Sequence, residues 1–234
     1  MPDDYTITDQ ERMTRAAHYF AWQRRLVVPE LGPRVIEVGC GIGNFTGALL
    51  DRELVAALDI EPACCRRLCE RYPGRPNLHV IAAAPGSPAF ADLARWRADS
   101  CVCLNVLEHI EDDRAALRAM ADVLAPRGAV VLLVPAFPSL YGPIDHNLGH
   151  HRRYTRQQFA ALARASGLRI VKLHYVNLIG FFGWWMNARV FRREAQSALQ
   201  IAVFDRWIVP WLSRLETLAP PPFGQSLFAV LRKP

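Results

Sequence analysis

Residues 35–46 read Val35-Ile-Glu-Val-Gly-Cys-Gly-Ile-Gly-Asn-Phe-Thr46, a short apolar strand running straight into three alternating glycines. Glycine lets a backbone turn tightly after a strand and approach a ligand closely beside a helix N-terminus. The spacing Gly39-x-Gly41-x-Gly43 is one residue shorter than the Gly-x-Gly-x-x-Gly of a dinucleotide site. Glu37 stands two residues before the first glycine, where a pyrophosphate would meet like charge and an ammonium opposite charge. Asp59 ends the next apolar run, Leu54 to Leu58, placed to accept both hydroxyls of a ribose.

Working outward, strands and helices alternate. Glu11 to Leu26 has helical spacing and opens the chain within a leading helical segment, 1–30. The glycines are expected to lead into a helix through Leu50, and Pro62 to Tyr72 is a second. Leu78 to Ala82 and Ser100 to Leu104 are strands, Asp112 to Leu124 an amphipathic helix, and Ala129 to Val134 an apolar strand covered on both faces. Thr155 and Gln158 form a capping box before a helix that Gly167 closes. Leu168 to Tyr175 and Ser226 to Leu231 complete the set. This rhythm predicts one α/β domain spanning 1–234, built on a doubly wound sheet. The cofactor that suits Glu37, the glycines and Asp59 together is a nucleoside with a cationic tail, S-adenosylmethionine, with S-adenosylhomocysteine as its product.

The chain resembles the class I S-adenosylmethionine-dependent methyltransferases of the small-molecule branch over about residues 20 to 175. The resemblance rests on the glycine motif, on Ala57-Leu-Asp-Ile-Glu61 and on Cys103-Leu-Asn-Val-Leu-Glu-His-Ile-Glu-Asp112. It implies a Rossmann-like, seven-stranded sheet with the last strand antiparallel. It also implies a cofactor set of Glu37, Gly39, Gly41, Gly43, Asp59, Ile60, Asn105, Val106 and Leu107, with His109 facing the methyl group or the acceptor. Many relatives hold adenine with an acidic residue after the third strand; this chain has Ala82-Ala-Ala-Pro85 there.

The segment Leu140 to Thr155 follows the fifth strand, on the ligand side of such a sheet. Asp145, His146, His150, His151 and Tyr154 are therefore candidates to bind or deprotonate an acceptor, since histidine titrates near neutrality. The spacing of these histidines in a Gly-containing loop is poor for a metal, and none is expected. Residues 177–225 are too long for a simple connection and carry four of the six tryptophans, so they read as an inserted helical cap. Phe181, Trp184 and Trp185 are its candidates for an aromatic or apolar acceptor such as an indole, a phenol or a related natural-product scaffold; the competing use of these aromatics is a homodimer interface.

Charge is uneven. Thirteen basic and 3 acidic side chains lie in residues 146–234, against 15 and 19 in residues 1–145. That asymmetry keeps RNA or an anionic lipid open as acceptor, but the scattered charges and the Asn105-Val-Leu-Glu sequence after the fourth strand argue against nucleic acid. A cofactor-binding protein without turnover is the remaining alternative. Six unpatterned cysteines and the absence of a run of ~20 apolar residues indicate a cytoplasmic protein without membrane insertion.

Overall fold

In the computed structural model, which describes residues 3–234, the chain runs α1 (Asp3–Met13), α2 (Ala17–Val27), β1 (Arg34–Val38), β2 (Leu54–Asp59), α3 (Pro62–Arg71), β3 (Leu78–Ala82) and α4 (Pro88–Ala91). It continues through β4 (Ala98–Leu104), α5 (Asp113–Asp122), β5 (Leu124–Pro135), α6 (Pro143–Leu148), α7 (Arg156–Ala165) and β6 (Arg169–Val176). Helices α8 (Leu178–Trp185), α9 (Ala198–Val203) and α10 (Val209–Leu218) precede β7 (Ser226–Arg232). The sheet order is β3-β2-β1-β4-β5-β7-β6. The first five strands are parallel, and β7 runs antiparallel between β5 and β6. This is the expected Rossmann-like sheet with helices inserted between strands six and seven.

Period-2 alternation sends neighbouring side chains to opposite faces of the sheet. Ile36, Cys101, Cys103 and Leu132 pack with Leu117, Met120 and Phe159 on one face. Val35, Val102, Val131 and Phe228 pack with Trp22 and Val27 on the other. The shared face of Cys101 and Cys103 follows from their spacing, and both thiols are buried and free.

Three boundaries differ from expectation. The glycine motif leads into turns and one short 3-10 segment, Thr46–Ala48, rather than a helix to Leu50. The stretch closes in i→i−3 turns instead, Ala48 N–H onto the Phe45 carbonyl and Leu49 N–H onto the Thr46 carbonyl, while the Gly41 and Ile42 N–H groups ahead of it donate to the Asp59 carboxylate and to Gln10 Oε1. The Thr46 hydroxyl donates to Glu37 at 2.7 Å. The leading helix is two helices broken at residues 14–16, where the Thr14 hydroxyl donates to the Glu11 carbonyl; Met1 and Pro2 of the 1–30 segment lie outside the described residues. Strand β5 begins five residues before Ala129, pairing across an irregularity at Ala98/Ser100.

The inserted helices are fastened to the body by buried polar groups. The Asp205 carboxylate accepts from the backbone N–H of His18 and Tyr19 and so caps the start of α2 from a distance. A π-helical stretch, Phe204–Ile208, lies just before Pro210, whose ring and missing N–H cannot join a regular ladder. Asn177 closes the insertion's base. It sits at φ +64°, its side chain accepts from Gly180 N–H at 3.0 Å and donates to Gln225 Oε1 at 2.9 Å.

Asn177→Ala should therefore lose a helix cap, about 1–2 kcal/mol, and add the left-handed backbone penalty of roughly 1–2 kcal/mol. Asn177→Gly loses the same side-chain bonds but escapes the backbone penalty. Urea unfolding should rank the alanine variant below the glycine variant, and equal midpoints would refute the clasp.

Candidate active site

A cavity of about 1230 Å³ opens at the carboxyl ends of β1, β2 and β4, walled by α1 and α2 on one side and by the insertion on another. Two backbone features shape its cofactor end. Gly39 and Gly41 have positive φ, and a Cβ on either would collide, with Val106 and with Gln10 respectively. Asn105, at the end of β4, is also left-handed (φ +54°), an uncommon conformation that places its side chain at the cavity rim and against the Tyr19 hydroxyl.

Glu37 reaches this end from inside the sheet and is only 4% exposed. Burial pushes its carboxyl up to about 8; the nearby Asp59 adds to this and the Thr46 hydrogen bond opposes it. A buried carboxylate that no cation faces among the described residues is a receptor for one. Both oxygens of Asp59 are fixed by backbone donors, Oδ2 by Gly41 N–H at 2.8 Å and Oδ1 by Glu61 N–H at 3.0 Å. Each oxygen keeps a lone pair for a ligand hydroxyl. Ala83, Ala84 and Pro85 line the same end, an apolar wall in place of an acidic adenine partner.

The other end of the cavity is polar at its floor. Glu108, on the 3-10 turn that follows β4, is completely buried, and among the described residues neither carboxylate oxygen has a hydrogen-bond partner. Burial raises it to about 7, with His150 opposing. His109 packs edge-on against His150 with ring centroids 4.7 Å apart. Burial, then the neighbouring His150 and His151, pull His109 down to about 4, so it is neutral. Behind them Asp145 accepts from His150 Nδ1 and Arg153 Nε, both at 2.8 Å, from Trp184 Nε1 at 3.2 Å and from Gly142 N–H at 3.0 Å. Burial works against this carboxylate, but the donors outweigh it and hold its pKa below the ordinary value.

The cavity brings together Glu37, Gly39, Gly41, Asp59, Ile60, Asn105, Val106, His109, His150, His151 and Trp184. Seven other expected residues stand off it. Gly43 is turned toward Leu68 and Tyr72, and Leu107 is sealed in the core beneath the turn. His146 points outward beside Asn147, and Asp145 sits one layer behind the wall. The Tyr154 hydroxyl donates to Asp113 on the far side, and burial and that carboxylate raise its pKa. Phe181 is taken up by Phe137, Phe182 and Phe223, and Trp185 faces solvent. The sequence reading missed Glu108, Gln10, Tyr19 and Arg153 as cavity residues. Only Glu108 carried a signal, an acidic residue inside the fourth-strand motif.

This strand order, with a glycine turn after β1 and a carboxylate after β2, is the architecture of class I S-adenosylmethionine-dependent methyltransferases. A family described as a methyltransferase domain matches residues 8–173, and the chain belongs to that family; S-adenosylmethionine is the cofactor of its class. An uncharacterized methyltransferase of Mycobacterium bovis is 31% identical over 113 residues, covering 48% of this chain and 55% of the relative. The chain thus spans about half the length of the curated relatives it matches. A methyltransferase of Haloferax volcanii, solved in complex with the Trm112 methyltransferase activator, superposes with a TM-score of 0.67 at 17% identity over 99% of this chain and 95% of that one. An S-adenosylmethionine-dependent methyltransferase of Mesorhizobium loti does so with 0.57 at 18% identity, over 90% and 96%. At such identities the likeness is one of fold.

Two outcomes are expected at the cofactor end. Asp59→Ala should weaken S-adenosylmethionine binding by about 1–3 kcal/mol, the cost of an unpaired polar contact; unchanged affinity in calorimetry would remove Asp59 from the ribose role. Glu37, largely protonated at pH 7 when free, should release its proton as a bound ammonium favours the carboxylate. Affinity should rise from about pH 6 toward 7.5, below the titration of the cofactor's own amino group at roughly 7.7–8.0. Calorimetry in buffers of differing ionisation enthalpy reads that proton, and Glu37→Gln should abolish it.

Proposed function

We propose that this protein transfers a methyl group from S-adenosylmethionine to a small, apolar or aromatic molecule that offers one polar atom. The observation that carries this reading is the cavity itself. At about 1230 Å³ it exceeds the roughly 300–1,000 Å³ of a typical single-ligand pocket. It is wide enough for two ligands side by side. Its cofactor end has the buried acid, the glycine turn and the fixed ribose acceptor, and in this reading Glu37, Gly39, Gly41, Asp59, Ile60, Asn105 and Val106 hold the cofactor. The remainder is walled by Trp184, Ile201, Val203, Phe204 and Ile208 of the insertion. Those side chains favour an indole, a phenol or a related scaffold over a sugar phosphate.

The cofactor supplies a methyl group already attached to a good leaving group, so the chain's task is alignment and exclusion of water. The insertion covers the reaction space. Glu108, His109 and His150 hold the acceptor's polar atom at the floor, and Asp145 positions His150 without touching substrate. Reduced thiols throughout the described residues support a cytoplasmic setting, and no described helix is long and apolar enough to cross a membrane.

One observation favours a second acceptor class, an anionic lipid. The outward face of the π-helical stretch and of α10 exposes Trp207, Trp211, Leu215 and Leu218, with Arg206 and Arg214 over the two tryptophans. Salt-sensitive sedimentation with anionic vesicles, together with methylated lipid in their extracts, would select that reading over the first.

Mass spectrometry of cell extracts or a phenol and indole panel incubated with labelled cofactor should reveal a product heavier by one methylene. Tight cofactor binding with no turnover on any acceptor would sink the transferase reading. Once an acceptor is known, Trp184→Ala should raise its KM about tenfold, equivalent to ~1.4 kcal/mol, with cofactor affinity unchanged. Trp185→Ala, off the cavity, should leave both constants alone.

A further inference from the structure

We propose that Glu108, His109 and His150 form a binding site for one divalent transition-metal ion at the floor of the cavity, with its open positions directed at an oxygen of the acceptor. The inference deepens the proposed function and rests on its placement of the acceptor end.

The three side chains each bring one donor atom, and these atoms lie within 4.8 Å of one another. All three residues border the cavity. Glu108 is the decisive group. A fully buried carboxylate with both oxygens unpaired is costly as an anion. The basic nitrogen that comes nearest among the described residues, His150 Nε2, is 3.9 Å away, beyond hydrogen-bond reach. Arg153 hydrogen-bonds Asp145 and the Ala136 carbonyl instead, and reaches Glu108 only as a nearby charge. A cation between Glu108 and the histidines would supply what the protein withholds.

The histidines are prepared to ligate. Asp145 accepts a hydrogen bond from His150 Nδ1 at 2.8 Å. That bond fixes the proton on Nδ1 and leaves the Nε2 lone pair directed toward Glu108. Carboxylate–histidine–metal chains of this form orient and strengthen imidazole ligands. The ring of His109 stands perpendicular to that of His150 (89°), so the two nitrogens approach the shared space from different directions. Ligand bonds of about 2.0–2.2 Å keep donor atoms within roughly 4.4 Å of each other, so binding draws the cluster together slightly.

Two imidazoles and one carboxylate select a zinc-, iron(II)- or manganese(II)-like ion over calcium or magnesium, which prefer all-oxygen sites. Three protein ligands leave coordination positions facing the cavity. An ion there takes a hydroxyl oxygen and lowers its pKa, which narrows the acceptor class from any polar atom to a phenolic or other hydroxyl group.

The test uses the full chain, stripped with chelator and dialysed, titrated separately with Zn²⁺, Mn²⁺ and anaerobic Fe²⁺ by calorimetry, with bound metal counted by elemental analysis. One equivalent should bind at micromolar or lower concentration, and Co²⁺ in its place should give visible ligand-field bands. Glu108→Gln and His150→Ala should each weaken binding by at least ~10–100-fold, the scale seen even for outer-shell changes, while S-adenosylmethionine affinity, measured on the same samples, stays intact and reports a folded chain. Stoichiometric binding lost in these variants supports the site. Failure of all three ions to bind the wild-type chain overturns it, with no variant required. So does binding that persists in the double variant. Methyl transfer to an apolar hydroxyl acceptor by demonstrably metal-free protein overturns the ion's role while leaving the proposed function standing. Metal binding without turnover on any acceptor does the reverse.

Discussion

Asp145 has no access to water, and a buried carboxylate must be met by donors or it will not stay charged. It is met from four directions, by Arg153, His150, Gly142 and Trp184. Those contacts pull together the loop after β5, the chain entering α7 and the first helix of the insertion. Arg153, itself buried, then reaches the Ala136 carbonyl at the end of β5 and stacks over Trp184 at 4.8 Å. Removing one partner of such a pair generally costs about 3–5 kcal/mol, because the other is left as an unpaired buried charge. The acceptor half of the cavity has its shape because this carboxylate is satisfied.

The two halves of the cavity are built differently, and this explains what could be read in the sequence. At the cofactor end the chemistry is local. Gly39, Gly41 and Asp59 sit at the carboxyl ends of neighbouring parallel strands, so their spacing along the chain carries their placement in space. The strands were legible for the same reason: Ile36, Val102 and Leu132 must be apolar on both faces of a covered sheet. Even here one inference failed. The expected helix after Gly43 does not form: the chain closes in i→i−3 turns at Ala48, Leu49 and Arg52, and the glycine turn ahead of them is held by Gln10 and Asp59, which no local spacing could reveal.

At the acceptor end almost nothing is local. Glu108 and His150 belong to different loops, and only the folded sheet brings them together. Tyr154 and His146 looked as suitable as His150 by residue type. Yet Tyr154, bridged to Ala136 ahead of α7, turns its hydroxyl toward Asp113, while His146 falls on the exposed side of α6. A period of 3.6 or 2 tells which face a residue occupies once an element is known. It does not tell which of several polar residues in an irregular loop will face inward, since that is settled by which partner each finds.

The antiparallel β7 has a consequence for how such a chain is made. It lies between β5 and β6, pairing with both through Ser226–Arg232. A ribosome therefore delivers β5 and β6 as two raw edges, separated by the gap that the last strand will fill. The insertion's helices emerge in the interval, before the strand that closes the sheet beneath them. Unpaired apolar edges are templates for association with other chains. A nascent chain of this kind depends on early shielding, by a chaperone or by its own helices, and a polypeptide released short of residue 226 keeps both edges open.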